Sequence, residues 1–291
     1  MDGLIVKNQN GYFSIASLSG DGSEIHLSRS RGSLKRKTDV LVGDRVAYDL
    51  TAHGDAVITK VYPRKTVLHR PPVANVDRLI LTSAVKSPDV SLYTLDKMIL
   101  LAENADIEPI ICFNKSDLDP GKAEELSAVY RKIGYDTVIA SAYTGKGIDE
   151  LRQCLTGHII AFSGPSGVGK SSLLNALLGQ ERFAAGHISE KTRRGKNTTR
   201  HAELIAFGED TFLMDTPGYT SLALQGVAED DAGYLFRDFR PYLSSCRFNN
   251  CMHRKEPDCA VRRAVDEGKI PLSRYHSYEQ VLEELKDVRK Y

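Results

Sequence analysis

The chain has 291 residues, a length that suits two or three compact domains. Hydrophobic residues make up 41% and charged residues 26%, which are ordinary globular values and exclude a wholly disordered chain. Lysine and arginine (39) nearly balance aspartate and glutamate (38), so the net charge of +1 excludes a strongly basic tail protein. The sequence has neither a signal-peptide core nor a run of about 20 apolar residues, so we expect a cytoplasmic, membrane-free protein.

Residues 1–66 carry the pattern of an all-β domain. Clusters of Gly, Asn, Asp and Ser separate five predicted strands, at residues 4–6, 12–16, 24–27, 45–48 and 56–61. Five strands in so short a segment fit an OB-type barrel, and other small barrels fit nearly as well. Basic residues dominate the stretch between His26 and Arg45, which is either a solvated loop or a contact for nucleic-acid phosphates.

Residues 67–222 alternate between strand and helix. The predicted strands are residues 78–84, 109–113, 137–140, 159–162, 201–207 and 211–214. The predicted helices are residues 92–104, 123–133, 148–155 and 172–178. Near-continuous apolar strands between helices indicate an α/β domain with a largely parallel sheet covered on both faces. Strand signals then fade, and residues 223–291 are predicted as a mostly helical domain.

A glycine-rich turn connects the predicted strand 159–162 to the helix after it. The turn matches the complete P-loop pattern, in which glycines let backbone N–H groups face phosphates at a helix N-terminus. We expect Lys170 to neutralise the β- and γ-phosphates and Ser171 to bind Mg²⁺. The predicted nucleotide-binding residues of this turn are Gly164, Pro165, Ser166, Gly167, Val168, Gly169, Lys170, Ser171 and Ser172.

Two further segments complete the predicted phosphate and magnesium chemistry. Asp215 and Gly218 are the first and last residues of the tetrapeptide Asp-Thr-Pro-Gly, which follows a predicted strand. There the Asp215 carboxylate can hold Mg²⁺ through water, and the Gly218 N–H can sense the γ-phosphate. Thr199 lies near the end of the glycine-flanked loop 184–200 and is the predicted magnesium-binding threonine of a switch, with its neighbour Thr198 as the alternative. The predicted catalytic set is Lys170, Ser171, Thr199, Asp215 and Gly218, with Ser171 and Thr199 as magnesium ligands.

A separate motif predicts which base is bound. Asn114, Lys115 and Asp117 follow a buried strand, and the Asp117 carboxylate can accept hydrogen bonds from the ring N–H and the exocyclic amine of guanine. Adenine offers no such donor pair, so it would leave this carboxylate unpaired. Ser141 and Ala142 can supply a backbone N–H to the guanine oxygen. The predicted nucleotide is therefore GTP or GDP.

The order of these motifs predicts a circular permutation. Ras-like GTPases place the phosphate loop before the base-reading motif, whereas here Asn114 and Ser141 precede Gly164. We predict that the old termini are joined around residues 147–158. The new termini then lie before residue 78 and just after Gly218. Because domain termini often lie close together, such a rearrangement leaves the sheet intact.

Three cysteines and one histidine lie within 14 residues of the C-terminal part: Cys246, Cys251, His253 and Cys259. Four soft ligands fill a tetrahedral Zn²⁺, which leaves no open position for catalysis. The spacing therefore predicts one structural zinc ion, with a set of free cysteines as the alternative. The basic residues around the cluster form a predicted RNA-binding face. They are Arg237, Arg240, Arg247, Arg254, Lys255, Arg262 and Arg263.

The motifs NKSD (114–117), SAYTGKG (141–147), GPSGVGKSS (164–172) and DTPG (215–218) follow a small barrel and precede a Cys/His group. In this combination the chain resembles the ribosome small-subunit-dependent GTPase A family (RsgA) over essentially its whole length. The resemblance implies a bacterial GTPase that binds the small ribosomal subunit late in its maturation and is stimulated by it. It also implies that the OB barrel and the zinc domain contact ribosomal RNA. We expect a monomer.

Two other functions remain open from the residues alone. One is a zinc-containing RNA-binding protein with a regulatory guanine-nucleotide site, which the intact Lys170, Ser171 and Asp215 disfavour. The other is a P-loop metabolic kinase, which Asp117 disfavours. Ras-like enzymes carry a water-orienting glutamine directly after the DxxG motif, and this chain has Tyr219 there. We therefore expect slow GTP hydrolysis by the isolated protein.

Overall fold

The structure is a computed structural model of the full chain. The residues it describes are 1–9, 11–19, 24–29, 39–52, 54–69, 72–179, 203–208, 210–214, 224 and 226–288. Most of the basic segment predicted after His26 lies outside these ranges, as does the predicted switch loop 184–200.

Five strands close into a barrel at the N-terminus. They are β1 (Asp2–Gln9), β2 (Tyr12–Ser17), β3 (Ile25–Arg29), β4 (Arg45–Leu50) and β5 (Ala56–Val61). Their order is β1-β2-β3-β5-β4, with β4 returning to pair with β1 and β3 running parallel to β5. Alternate residues such as Ile15, Val46 and Ile58 fill the interior, because successive side chains of a strand point to opposite faces. This is the predicted OB-type architecture.

A short hairpin links the barrel to the central domain. Its strands are β6 (Val67–His69) and β7 (Pro72–Ala74). The backbone N–H of Ala74 donates to the Val42 carbonyl, and the Asn75 side chain donates to the Gly43 carbonyl at 2.9 Å. These bonds tie the hairpin to the segment before β4. Strands of three residues are too short to show alternation, and the sequence did not indicate them.

The central domain is a six-stranded sheet with helices on both faces. Its strands are β8 (Arg78–Ala84), β9 (Glu108–Asn114), β10 (Asp136–Ile139), β11 (Ile159–Ser163), β12 (Leu204–Gly208) and β13 (Thr211–Met214), and its helices are α1 (Leu92–Asn104), α2 (Pro120–Ile133), α3 (Ile148–Leu155) and α4 (Lys170–Leu178). The strand order is β10-β9-β8-β11-β13-β12, and only the edge strand β12 is antiparallel to its neighbour in the described part of the sheet. The carboxyl ends of β9, β8 and β11 therefore lie side by side, which is where open α/β sheets bind ligands.

The C-terminal part packs against α1. It contains the short helices α5 (Arg240–Leu243) and α6 (Ala260–Asp266) and the long helix α7 (Leu272–Val288). Its apolar core is continuous with Leu100 and Leu101 of α1. Among the helices of the described ranges, none combines the length and apolar character needed to cross a membrane.

A buried ionic cluster joins α7 to α1. The Arg274 guanidinium, 1% exposed, donates to Asp96 of α1 at 2.7 Å and to Asp238 at 2.8 Å. The Tyr130 hydroxyl donates to the same Asp96 oxygen at 2.7 Å. Together these side chains link the central domain to the C-terminal part through charges that water does not reach.

Candidate functional site

The phosphate loop forms where the sequence predicts it, between β11 and α4. Gly164 has φ +150°, and a Cβ there would lie 2.2 Å from the Thr82 carbonyl oxygen of β8, so only glycine allows this approach. Pro165 is half-buried, whereas Ser166 and Gly167 are exposed at the tip of the loop. The loop thus packs against β8 at its start, and its tip is exposed to solvent.

Lys170 lies inside the loop that precedes it. Its side-chain ammonium donates to the carbonyls of Gly164 at 2.6 Å and Pro165 at 2.7 Å. The residue is 8% exposed, and burial lowers the pKa of the ammonium below its usual value because a low-dielectric environment disfavours charge. Ser171 and Ser172 follow in the first turn of α4, and both are half-buried. The helix N-terminus and the lysine therefore present positive charge to the same space.

Asn114 joins three motifs that are far apart in sequence. Its side-chain amide donates to the Val168 carbonyl of the phosphate loop at 2.8 Å, and its oxygen accepts from the Ala142 N–H at 3.2 Å. A Cβ on Gly169 (φ +95°) would lie 2.3 Å from the Asn114 amide nitrogen, so this contact also requires glycine. The base-reading motif therefore contacts the phosphate loop two residues before Lys170, although it precedes that loop in the chain.

Asp117 is exposed, and Ser141 holds its carboxylate. The Ser141 hydroxyl donates to Asp117 Oδ1 and accepts from the Thr144 N–H at 3.1 Å. The Ser116 N–H donates to the Ala140 carbonyl at 3.1 Å, which fixes the two turns to each other. Lys115 (φ +59°) is half-buried, and its ammonium donates to the Ser87 carbonyl. An oriented, solvent-facing carboxylate can pair with two donors on one edge of a base.

Three of the predicted catalytic residues, Thr199, Asp215 and Gly218, lie outside the described residues, as does Tyr219. The described strands β12 and β13 lie between Thr199 and Asp215 in the chain. The antiparallel bridge Lys7–Glu203, with an ion pair of 2.8 Å, attaches β1 of the barrel to the start of β12. The barrel therefore contacts the segment that directly follows the predicted switch loop.

The four predicted zinc ligands converge. The ligand atoms of Cys246, Cys251, His253 and Cys259 all lie within 4.8 Å of one another. His253 Nδ1 lies 3.5 Å from the Cys246 sulfur and 3.4 Å from the Cys259 sulfur, and these two sulfurs are 4.0 Å apart. A tetrahedral zinc ion with Zn–S bonds of about 2.3 Å separates its sulfur ligands by roughly 3.8 Å. The described side chains therefore fit zinc.

Burial disfavours the charged forms of three ligand side chains in this cluster. Burial raises the pKa of the Cys251 thiol to about 12 and also raises that of Cys259, so bringing these sulfurs together as thiolates requires a compensating positive charge. Burial lowers the pKa of His253, which keeps its imidazole neutral and able to coordinate.

Several residues that support the cluster were not predicted from the sequence. The Glu256 carboxylate accepts from the backbone N–H groups of Met252, Arg254 and Lys255 at 2.8–3.0 Å. Tyr275 and Tyr278 of α7 donate to the carbonyls of His253 and Met252. The position of Glu256 between the ligands His253 and Cys259 is a sequence signal that could have indicated a supporting role. The two tyrosines carry no such signal, because their pattern is that of ordinary core residues of a helix.

The predicted basic face is smaller than the sequence indicates. Arg237 and Arg240 bind Glu103 of α1, so they hold the C-terminal part to the central domain and do not form a free surface. Arg254 and Arg247 form ion pairs with surface carboxylates. Lys255, Arg262 and Arg263 are exposed beside the cluster.

Comparison with known proteins places this geometry in a family. The family described as "RsgA GTPase" matches residues 61–225, and "RsgA N-terminal domain" matches residues 2–58. The chain belongs to the RsgA GTPase family. It is 42% identical to the small ribosomal subunit biogenesis GTPase RsgA of Caldanaerobacter subterraneus subsp. tengcongensis, over 100% of this chain and 97% of that relative. It is 39% identical to the protein of the same name from Alkaliphilus metalliredigens, over 99% of each chain.

Solved structures of the family share the whole architecture. The crystal structure of YjeQ from Thermotoga maritima matches with a TM-score of 0.84 and 35% identity, covering 98% of both chains. That of YloQ, described as a circularly permuted GTPase, matches with a TM-score of 0.83 and 32% identity, covering 98% of this chain and 95% of YloQ. These matches confirm the predicted fold, an OB-type barrel followed by a permuted GTPase domain and a helical C-terminal part.

Proposed function

We propose that this chain binds and hydrolyses GTP while assisting the late maturation of the small ribosomal subunit, which in turn stimulates hydrolysis. The observation that carries the nucleotide part is the Asn114 side chain, which bonds both the phosphate loop and the Ala142 turn. The names of the relatives carry the ribosomal part, since they are small ribosomal subunit biogenesis GTPases.

Guanine selectivity follows from the orientation of Asp117. With Oδ1 held by Ser141, the carboxylate is an acceptor for the N–H donors on one edge of guanine. The Ser141 N–H donates to the Lys146 carbonyl, so the Ala142 N–H, which the Asn114 oxygen shares, is the donor we propose for the guanine oxygen. Lys115 and Asn114 complete the proposed base site. A base without paired donors leaves this charged acceptor desolvated, which lowers its affinity.

Hydrolysis is in-line attack of water on the γ-phosphate. This chain supplies the positive charge that stabilises the phosphates and the groups that hold them in place. The phosphate loop, from Gly164 to Gly169, cradles the phosphates with its N–H groups, and Lys170 neutralises their oxygens. Ser171, with Thr199 and Asp215, would hold Mg²⁺, which neutralises charge on the β- and γ-phosphates when bound. Gly218 senses the γ-phosphate. With tyrosine at 219, we expect slow turnover without the ribosomal partner.

We propose that the cysteine cluster binds one structural zinc ion. Cys246, Cys251, His253 and Cys259 would hold it, and four protein ligands leave no position for a substrate. Its contribution is folding energy for a segment whose own helices α5 and α6 are only one to two turns long.

Ribosomal RNA is the proposed partner of the barrel and of the exposed basic residues beside the cluster. Lys255, Arg262 and Arg263 supply the phosphate contacts on the C-terminal side. The domain limits at 1–66, 67–222 and 223–291, the monomeric state and a cytoplasmic location stay predictions.

The test is phosphate release from GTP with and without purified small subunits, together with competition by ATP. We expect slow release alone, faster release with subunits and no competition by ATP. Asp117→Asn should lower GDP affinity and raise affinity for xanthosine diphosphate, because an amide donates where the carboxylate accepts. Asp136→Asn is the matched control, because Asp136 begins β10 at the amino ends of the strands, away from the base site. Fast hydrolysis of ATP would favour a kinase-like enzyme, and nucleotide binding without turnover would favour a regulatory site.

A further inference from the structure

The loop after β8 lies between the two halves of the proposed nucleotide site. β8 is hydrogen-bonded to β9 on one side and to β11 on the other. β9 leads into the base-reading motif, and β11 leads into the phosphate loop. Since all three strands are parallel, residues 86–89 leave the sheet at the same edge, in the gap between base site and phosphate loop.

This loop bonds one half of the site and lies next to the other. The Lys115 ammonium of the base-reading motif donates to the Ser87 carbonyl. On the other side, the loop lies next to the tip of the phosphate loop, where a Cβ added to Gly167 would come 3.7 Å from the Pro88 ring. Residues 86–89 are exposed, so their conformation is not explained by burial in the core. Ser87 has φ +55°, a left-handed conformation that β-branched residues strongly disfavour.

We propose that Ser87 is a positioning residue of the nucleotide site, which holds the Lys115 ammonium beside the phosphate loop through its carbonyl. The proposal rests on the proposed function, because Lys115 matters only if the site binds a nucleotide. A lysine held at its ammonium loses less side-chain freedom when the ligand arrives, so binding is tighter. Ser87 acts through Lys115 and touches no reacting atom.

The test compares substitutions that the backbone conformation accepts with one that it rejects. Ser87→Gly keeps φ +55° accessible and should leave the dissociation constant of GDP within about twofold. Ser87→Val should raise that constant about tenfold for GDP and GTP alike, because a left-handed valine is strained. Uniform weakening raises KM and leaves kcat unchanged. Ser87→Thr, which is β-branched but keeps the hydroxyl, should raise the constant in the same direction if the valine variant folds poorly.

A matched control lies at the amino ends of the strands, on the side of the sheet away from the nucleotide site. Asp106, between α1 and β9, has φ +56°, so Asp106→Val introduces the same backbone strain away from the site. It should lower thermal stability and leave nucleotide affinity unchanged. An equal loss of GDP affinity in both valine variants would overturn the proposal, because the effect would then be general destabilisation.

The decisive measurement repeats Ser87→Val in a Lys115→Ala background. If Ser87 acts through Lys115, the second substitution should change the GDP dissociation constant by less than about twofold. A tenfold change in both backgrounds overturns the positioning role while leaving the proposed function intact. Failure of the wild-type protein to bind GDP overturns the proposed function, and this proposal with it.

Discussion

Arg274→Met tests whether the buried ionic cluster holds the C-terminal part to the central domain. Arg274 is 1% exposed and bonds two carboxylates, Asp96 at 2.7 Å and Asp238 at 2.8 Å. Asp96 is itself 1% exposed, and its second oxygen has no hydrogen-bond partner in the described structure. Methionine fills similar volume but leaves two buried negative charges without a cation.

The expected cost follows from that unpaired charge. Removing one partner of a buried ion pair costs about 3–5 kcal/mol, since desolvation of the remaining charge is no longer offset. With a urea dependence of about 2 kcal/mol per molar, the unfolding midpoint of the transition that includes the C-terminal helices should fall by roughly 2 M. Circular dichroism in urea measures it, because the chain has no tryptophan.

Two controls separate the cluster from general effects of arginine loss. Arg247→Met removes an exposed ion pair with Asp258, so its midpoint should match that of the wild type. Adding Asp96→Asn and Asp238→Asn to Arg274→Met removes the unpaired charges and should recover part of the loss. A midpoint lowered by less than about 0.5 M in Arg274→Met would refute the reasoning, because it would mean that water or rearrangement satisfies the carboxylates.

Further predictions concern the nucleotide site and the cysteine cluster. Lys170→Ala should reduce GTP turnover at least about 100-fold with an unchanged circular dichroism spectrum, measured as phosphate release. Asn114→Ala should weaken GDP binding at least about tenfold in a fluorescence titration, because the Val168 carbonyl and Ala142 N–H lose their shared partner. Cys251→Ser should reduce bound zinc in metal analysis and make the region around α6 more sensitive to protease. For Glu256, burial raises the pKa, but its own backbone N–H and those of Met252, Arg254 and Lys255 outweigh burial and lower the pKa below its usual value. Its stabilisation is therefore present near neutral pH and lost as pH falls through that depressed pKa. The difference in unfolding midpoint between wild type and Glu256→Gln should close in acid.

Local patterns were enough to predict the phosphate loop and its setting. The apolar run before Gly164 and the helical residues after Lys170 predicted the strand and helix that the structure has at β11 and α4. Motif order added the topology, because base and phosphate motifs can share one site only if the sheet brings their strands together. The Asn114 contact with Val168 confirms that convergence.

The ionic cluster and the Ser87 turn could not be predicted in this way. Asp96 lies more than a hundred residues before both Asp238 and Arg274, and each of the three is typical of an exposed helix or turn position. Nothing in their local pattern indicates burial, since their pairing depends on how α7 packs on α1. Likewise, the Ser-Pro pair after β8 predicts a turn but not its contact with Lys115.

The two flanking parts of the chain attach to different sides of the central sheet. The barrel reaches β12 at the edge, through Lys7 and Glu203, next to the predicted switch loop. The C-terminal part packs on α1, which follows β8 and the loop that contacts Lys115. A nucleotide bound across the base site and the phosphate loop lies between these two attachments. Because the α1 contact is a buried ionic cluster, we expect the C-terminal part to move together with α1.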